Sequence, residues 1–347
     1  MTRYCKHLFV TTAMIMMTIA ATARIWRVNN IAGVAADFST FDACVASASV
    51  LNGDTVHLEG SPNAYSNSSL INKRLIFIGT GYFLSGTGAN NGLQANTNTA
   101  FFSGALRFDS LASGSRFSGI DIRASLWMDP RADNIRFERC NFSSISWNVQ
   151  ASNTSNRAQN IVFNKCYFGS TDIPAQFYYD NLEITNCIIT STFSFPPGNV
   201  GSALIRNNVF LAGVTLGNCY FSNNILLNIG SGSFNVTFST IRNNISQFAG
   251  VLPAGNGNQE GFTQAALFVG PTGNSTDGQW QLRTGSAAIG AGETVGGVTP
   301  DCGAFGTADP YRLSGIPPVP TVYSLTVPGS VPVGQPLNIT VSTRSNN

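Results

Sequence analysis

One pattern recurs along the middle of the chain. It appears as Ile135-Arg-Phe-Glu-Arg-Cys140-Asn-Phe142, as Ile161-Val-Phe-Asn-Lys-Cys166-Tyr-Phe168 and as Leu182-Glu-Ile-Thr-Asn-Cys187-Ile-Ile189. It continues through Ile205-Arg-Asn-Asn208, Phe221-Ser-Asn-Asn224 and Ile241-Arg-Asn-Asn244, and begins upstream at Phe117-Ser-Gly-Ile120-Asp-Ile122. The aligned column is Ile120, Cys140, Cys166, Cys187, Asn208, Asn224 and Asn244, with steps of 20, 26, 21, 21, 16 and 20 residues. Each unit reads as a short alternating strand, a two-residue break and a second short strand. Alternation with period two marks strands with one buried face. A repeat near 21 residues is too short for a helical hairpin and suits one turn of a parallel β-solenoid. Coils then lie about 4.8 Å apart and like residues stack into ladders. Asn fits the break, because its amide bonds to turn backbone and it tolerates unusual dihedrals.

The ladder also decides the cysteines. Six follow the first 23 residues: Cys44, Cys140, Cys166, Cys187, Cys219 and Cys302. An even count invites a disulfide framework. In a parallel ladder, however, the Cβ vectors of Cys140, Cys166 and Cys187 do not converge, as a disulfide requires. These three are expected to be buried, reduced, small hydrophobes.

The two ends depart from the repeat. Residues 1–23 read as a secretory signal peptide: a basic start with Arg3, Lys6 and His7, an apolar stretch over 8–20, and the small residues Ala21-Thr22-Ala23. The expected compartment is extracellular, and no later segment is long and apolar enough to span a bilayer. Phe38, Phe41, Cys44, Val45 and Ala48 fall at helical spacing. Asp37 or Ser39 can cap that helix and Asn52-Gly53 can stop it, which predicts a helix over 39–51 plugging the open first coil. Strands at 55–58 and 75–78 begin the stack, and the Gly, Asn and Thr of 79–99 suggest a long loop. After Asn244 the pattern loosens. Ile316-Pro-Pro-Val-Pro320 is a linker, and strands at 322–327 and 337–342 can pair as a hairpin.

These segments resemble secreted bacterial right-handed parallel β-helix proteins of the pectate-lyase-like superfamily. The run 37–58, ending in Asn52-Gly-Asp-Thr-Val-His-Leu58, is similar to the capping segment of that group. Leu75-Ile-Phe-Ile-Gly-Thr-Gly-Tyr82 is similar to its first coil, and 286–292 with 301–306 to a closing coil. The resemblance spans about 29–311. Its implied fold is all-β: a single-stranded right-handed parallel β-helix over 24–311 with an N-terminal capping helix, followed by a linker and C-terminal β-hairpin over 312–347. It leaves activity open, because the group holds lyases, hydrolases, epimerases, adhesins and non-catalytic proteins.

Charge narrows the partners. Only 10% of residues are charged, and removing Arg3 and Lys6 from 19 basic residues leaves 17 against 17 acidic ones. Such a chain has no electrostatic footprint for nucleic acid or an anionic membrane. Beyond residue 23, Lys73 and Lys165 are the lysines and His57 is the histidine. A Ser/His/Asp set in mid-helix is therefore excluded, and neither zinc spacing nor a phosphate-cradling loop occurs. The Gly-His-Gly and Arg-Ile-Lys elements of polygalacturonase-like members are missing as well.

Two constellations remain. Asp121, Arg123, Asp129, Arg131, Asp133, Arg136, Glu138 and Arg139 crowd two successive coils. Asp121, Asp129, Arg131 and Asp133 are catalytic candidates by resemblance to calcium-dependent lyases, with Asp121 expected near Asn141 and Asp129 near Asp133. The plainer reading is a set of outward ion pairs, each worth about 0–1 kcal/mol. Arginine is a poor base, which counts against proton abstraction by this cluster; no resident metal or cofactor is assigned, with calcium as the alternative. The second constellation is aromatic. Trp127 follows Ile120 by seven residues and Trp147 follows Cys140 by seven, with Tyr178, Tyr179, Phe193 and Phe195 on later coils. Stacked outward, these would form a platform for sugar rings; stacked inward, they would be core. The expected function is a secreted, non-catalytic module that binds a polysaccharide or cell-surface glycan, adhesin-like in use. The alternatives are a lyase or hydrolase acting on acidic polysaccharide, and a structural subunit of an extracellular assembly.

Overall fold

The computed structural model describes residues 23–143, 145–149, 157–169, 171–172, 178–195 and 197–346, so residues 1–22 of the expected signal peptide lie outside the described residues. The repeat builds stacked coils. Among the described residues, one sheet has ten parallel strands, running from Ile25–Val28 and Thr55–Leu58 through Arg136–Glu138 to Thr240–Arg242. A second has thirteen strands, among them Phe101–Phe108, Asp121–Met128, Asn141–Phe142, Tyr167–Phe168 and Gln259–Glu260. Phe193–Ser194, Val214–Gly217 and Phe234–Thr237 form a short third face. The chain is thus an all-β parallel β-helix.

Alternation fixes what fills it. In the ten-stranded sheet Val56, Phe77, Phe117, Phe137, Phe163, Ile184, Ile205, Phe221 and Ile241 follow one another in register. Phe77, Phe117, Phe137 and Phe163 stack with centroids 4.6, 5.0 and 5.3 Å apart. Each buried ring contributes about 1.5–3 kcal/mol.

The corner between the two long sheets carries the conserved geometry of the repeat. Gly119, Arg139, Lys165, Asn186, Asn207, Asn223 and Asn243 all adopt positive φ, between 52 and 68°. Left-handed backbone favours Gly and Asn, which explains most of this row. The next residue on each coil points inward, and Ile120, Cys140, Cys166, Cys187, Asn208, Asn224 and Asn244 form one ladder, as expected. The backbone N–H of Asn141, Tyr167, Ile188 and Val209 donates to the carbonyls of Ile120, Cys140, Cys166 and Cys187 respectively. All six described cysteines are buried and unbridged. The thiols copy the asparagines: Cys187 Sγ accepts from the N–H of Cys166 at 3.4 Å and donates to the carbonyl of Phe163 at 3.6 Å.

The N-terminal helix is shorter than the spacing predicts, Phe41–Ala46 rather than 39–51. Thr40, not Asp37 or Ser39, caps it by accepting from Ala43 N–H at 3.1 Å. Ser47 ends it, because its hydroxyl accepts from Ser49 N–H and offers the backbone an alternative to the helix. Phe41, Cys44 and Val45 still cover the first coils.

A strap then runs back along the corner. Residues 262–316 cover the outer side of the thirteen-stranded sheet, where Tyr167, Ile188, Val209, Ile225 and Ile245 pack with Leu267, Phe268, Trp280, Cys302 and Tyr311. Side chains of the turn row hold it: Asn207 donates to the Asp301 carbonyl at 2.9 Å, Asn186 to the Ala304 carbonyl at 3.1 Å, and Lys165 pairs with Asp309. Close approach requires glycine at Gly119, where a Cβ would lie 2.8 Å from Pro317 Cδ. The strap is pinned by Asp277, which is fully buried and accepts from Asn90 Nδ2, Ser275 Oγ, Tyr311 Oη and Ser314 N–H at 2.8, 2.9, 3.2 and 2.6 Å. Beyond it, Thr321–Thr326 and Thr340–Arg344 pair antiparallel as an exposed hairpin.

Candidate functional site

The outward row Leu70, Arg107 and Trp127 crosses three adjacent strands in register. Leu106, Phe108, Leu126 and Met128 alternate with it and are buried. Alternation therefore turns Trp127 outward, and the residue is 36% exposed. The Arg107 guanidinium lies 5.6 Å from the Trp127 ring centre, within cation–π range. Ser68, Leu70, Arg107, Asp109, Trp127 and Asp129 line an open cleft of about 400 Å³.

The carboxylates of the cleft are tethered. Asp129 accepts from Arg131 Nε and Nη2, both at 3.1 Å, and from its backbone N–H at 2.8 Å. The Arg131 contact holds the carboxyl below the usual carboxylate range, so Asp129 is ionised near neutral pH and no proton donor. Asp109 caps a turn by accepting from Leu111 N–H at 2.7 Å. Ser68 is fixed by Asp42, which accepts from its hydroxyl at 3.0 Å and its N–H at 3.1 Å.

The sequence cluster does not assemble as one centre. Asp121 is buried at the far end of its strand and does meet Asn141, whose Nδ2 donates to it at 2.8 Å; Ser143 and Arg123 also donate. Burial pushes its carboxyl up, against the opposing pull of Arg123. Asp133 accepts from Gln159 N–H at 2.8 Å, while Asp129 is committed to Arg131. Among the described residues no three His, Cys, Asp or Glu side chains are placed to hold a metal ion.

The aromatic platform is smaller than the spacing suggests. Trp147 stands opposite Leu126, and Trp127 stands opposite Asn148. The register offset is 20 residues at Asp121–Asn141 and 21 at Leu126–Trp147, so one extra residue enters the second coil between them. The two tryptophans therefore do not stand side by side, and the Trp147 side chain itself lies outside the described residues. Tyr179, Phe193 and Phe195 are buried core. Tyr178 is half-buried, with the Arg157 guanidinium 5.4 Å from its ring. Sequence reasoning missed Leu70, Arg107 and Asp109. Their signal was present in the alternation of 101–108, which lies upstream of the repeat column.

His57 faces outward between the ten-stranded sheet and the hairpin, where burial lowers its pKa. Among the described residues no helix is long and apolar enough to cross a membrane. No protein-family model matches the chain, and no curated protein matches it.

Proposed function

We propose that the protein is a secreted, non-catalytic β-helix that binds glycan along the Leu70–Arg107–Trp127 row. The observation that carries this reading is the outward indole of Trp127 in an open cleft, flanked by a cation and by carboxylates. An aromatic face supplies large, rigid contact area to the apolar side of a sugar ring, and Arg107, Asp109 and Ser68 supply polar partners at its rim. The coil spacing of about 4.8 Å sets these side chains along a line that an extended saccharide can follow.

Two carboxylates in one cleft, Asp109 and Asp129, favour hydrolysis of a polysaccharide as the second reading. Against it, each carboxylate is occupied by a local contact: Asp109 caps a turn and Asp129 is bound by Arg131. A glycan array read alongside reducing-sugar and unsaturated-product assays separates the two. Binding without turnover, lost in Trp127→Ala, supports the first reading; turnover lost in Asp129→Asn replaces it with the second.

A further inference from the structure

Three arginines from distant parts of the chain line one cavity. Arg139 comes from the turn row, Arg312 from the strap and Arg344 from the second strand of the hairpin. With Tyr311, Ile316 and Asn346 they line an open cavity of about 420 Å³.

Arg139 is 4% exposed. Its Nη1 donates to the carbonyls of Ile316 and Asn346 at 2.8 and 3.2 Å, both uncharged acceptors. Among the described residues no carboxylate lies within ion-pair distance of Arg139 or Arg344. Arg312 reaches Asp309 only at 3.6 Å, and Asp309 is also paired with Lys165. The Nε–H groups of Arg139, Arg312 and Arg344 are each buried without a hydrogen-bond partner among the described residues.

A buried guanidinium is costly unless its charge is paired and its donors are used. The turn row sharpens the point. Its left-handed positions hold Gly or Asn except at Lys165 and Arg139. Lys165 meets Asp309 and Glu138, whereas Arg139 takes the same disfavoured backbone and meets no carboxylate among the described residues. Gly315 packs so closely on the Arg139 carbonyl and the Tyr82 ring that a Cβ would overlap both, so the arginine backbone is fixed at the cavity wall.

The geometry points to an oxyanion site: a carboxylate, sulfate or phosphate group enters this cavity and is gripped by the guanidinium forks of Arg139, Arg312 and Arg344. Planar forks match the paired oxygens of such groups. Because Arg344 belongs to the hairpin and donates to the Leu93 carbonyl at 2.7 Å, the anion also fastens the hairpin to the loop and strap. This site stands apart from the Trp127 cleft and does not depend on it.

The test is titration of the whole chain with sodium sulfate, sodium phosphate and sodium acetate, with sodium chloride matching ionic strength. Calorimetry and thermal unfolding are the readouts. At least one anion is expected to bind saturably at one site and raise the midpoint above the chloride baseline, and the ranking of the three identifies the group. Arg312→Gln and Arg344→Gln, both less buried than Arg139, are expected to weaken it about tenfold or more. Arg139→Lys keeps the charge but loses the fork and is expected to weaken it too. Trp127→Ala leaves it unchanged. Absence of saturable binding by all three anions overturns the site, and so does equal binding by wild type and the Arg312 and Arg344 variants.

Discussion

The side-chain oxygen of Asn224 accepts two hydrogen bonds from Asn208, one from its backbone N–H at 2.9 Å and one from its amide at 3.0 Å. Its own amide donates to the Ile205 carbonyl at 3.0 Å, and Asn224 is fully buried. Replacing Asn224 by Leu leaves two donors and a carbonyl unsatisfied at a buried corner. The expected loss is about 3 kcal/mol or more, read from denaturant unfolding.

Cys187 occupies the same ladder and makes weaker versions of the same contacts. Cys187→Asn should therefore extend the asparagine ladder and change stability by less than about 1 kcal/mol, whereas an average buried Cys→Asn change would destabilise strongly. A loss matching that of Asn224→Leu contradicts the equivalence.

Burial pushes Cys140 and Cys166 well above the ordinary thiol range, and Cys44 and Cys302 up to about 12. All six described thiols are expected to resist a disulfide reagent at pH 8 while folded and to react on unfolding. Fewer than six reactive thiols in the unfolded, unreduced chain would reveal a disulfide.

Asp54 and Asp121 have opposite pH signatures. Burial pushes Asp54 up, but hydrogen bonds from Arg24 N–H, Leu51 N–H and Trp26 Nε1 outweigh it and leave the carboxyl below its ordinary value. Its contribution is present above the unfolded value of about 3.9 and is lost as pH falls through the folded value. Asp54→Asn should cost about 2–3 kcal/mol at pH 7 and flatten stability below about pH 4. Asp121 is raised, so its ionised form is disfavoured in the folded state above its folded pKa. Asp121→Asn should cost less than about 1 kcal/mol at pH 7. Urea midpoints across pH 2–7 check both.

Trp127→Ala should weaken glycan binding by about 1 kcal/mol and lower stability by no more than about that amount, because the ring is partly exposed. A stability loss of about 3–5 kcal/mol, the cost of truncating a buried aromatic, would make Trp127 a core residue.

The coil stack was legible because the repeat pairs a buried column with a left-handed turn, and both constraints act on residue type. Asn208, Asn224 and Asn244 announce the corner, and Phe117, Phe137 and Phe163 announce the core. The paired tryptophans were misread because offsets were counted from Ile120 and Cys140, and one extra residue after Phe142 is invisible to that count. The strap was not legible. Asn186, Asn207 and Lys165 read as turn residues, and nothing periodic marks Ala304 or Asp309 as their partners. Arg139 looked like one more surface charge, since the partners of its guanidinium, the carbonyls of Ile316 and Asn346, lie far away in sequence.

A stack of coils held only by neighbouring rungs would fray from its ends, each coil melting nearly on its own. The strap changes that. Through Asn223, Asn207, Asn186, Lys165 and Arg139 one continuous segment is bonded to five successive coils. No middle coil can open without loosening a segment that its neighbours also hold. The linear array is thereby expected to unfold as one cooperative unit; because Tyr82 bonds to Ser314 and Tyr311, the tie extends back to the early coils and leaves the exposed hairpin beyond the strap as the weak point.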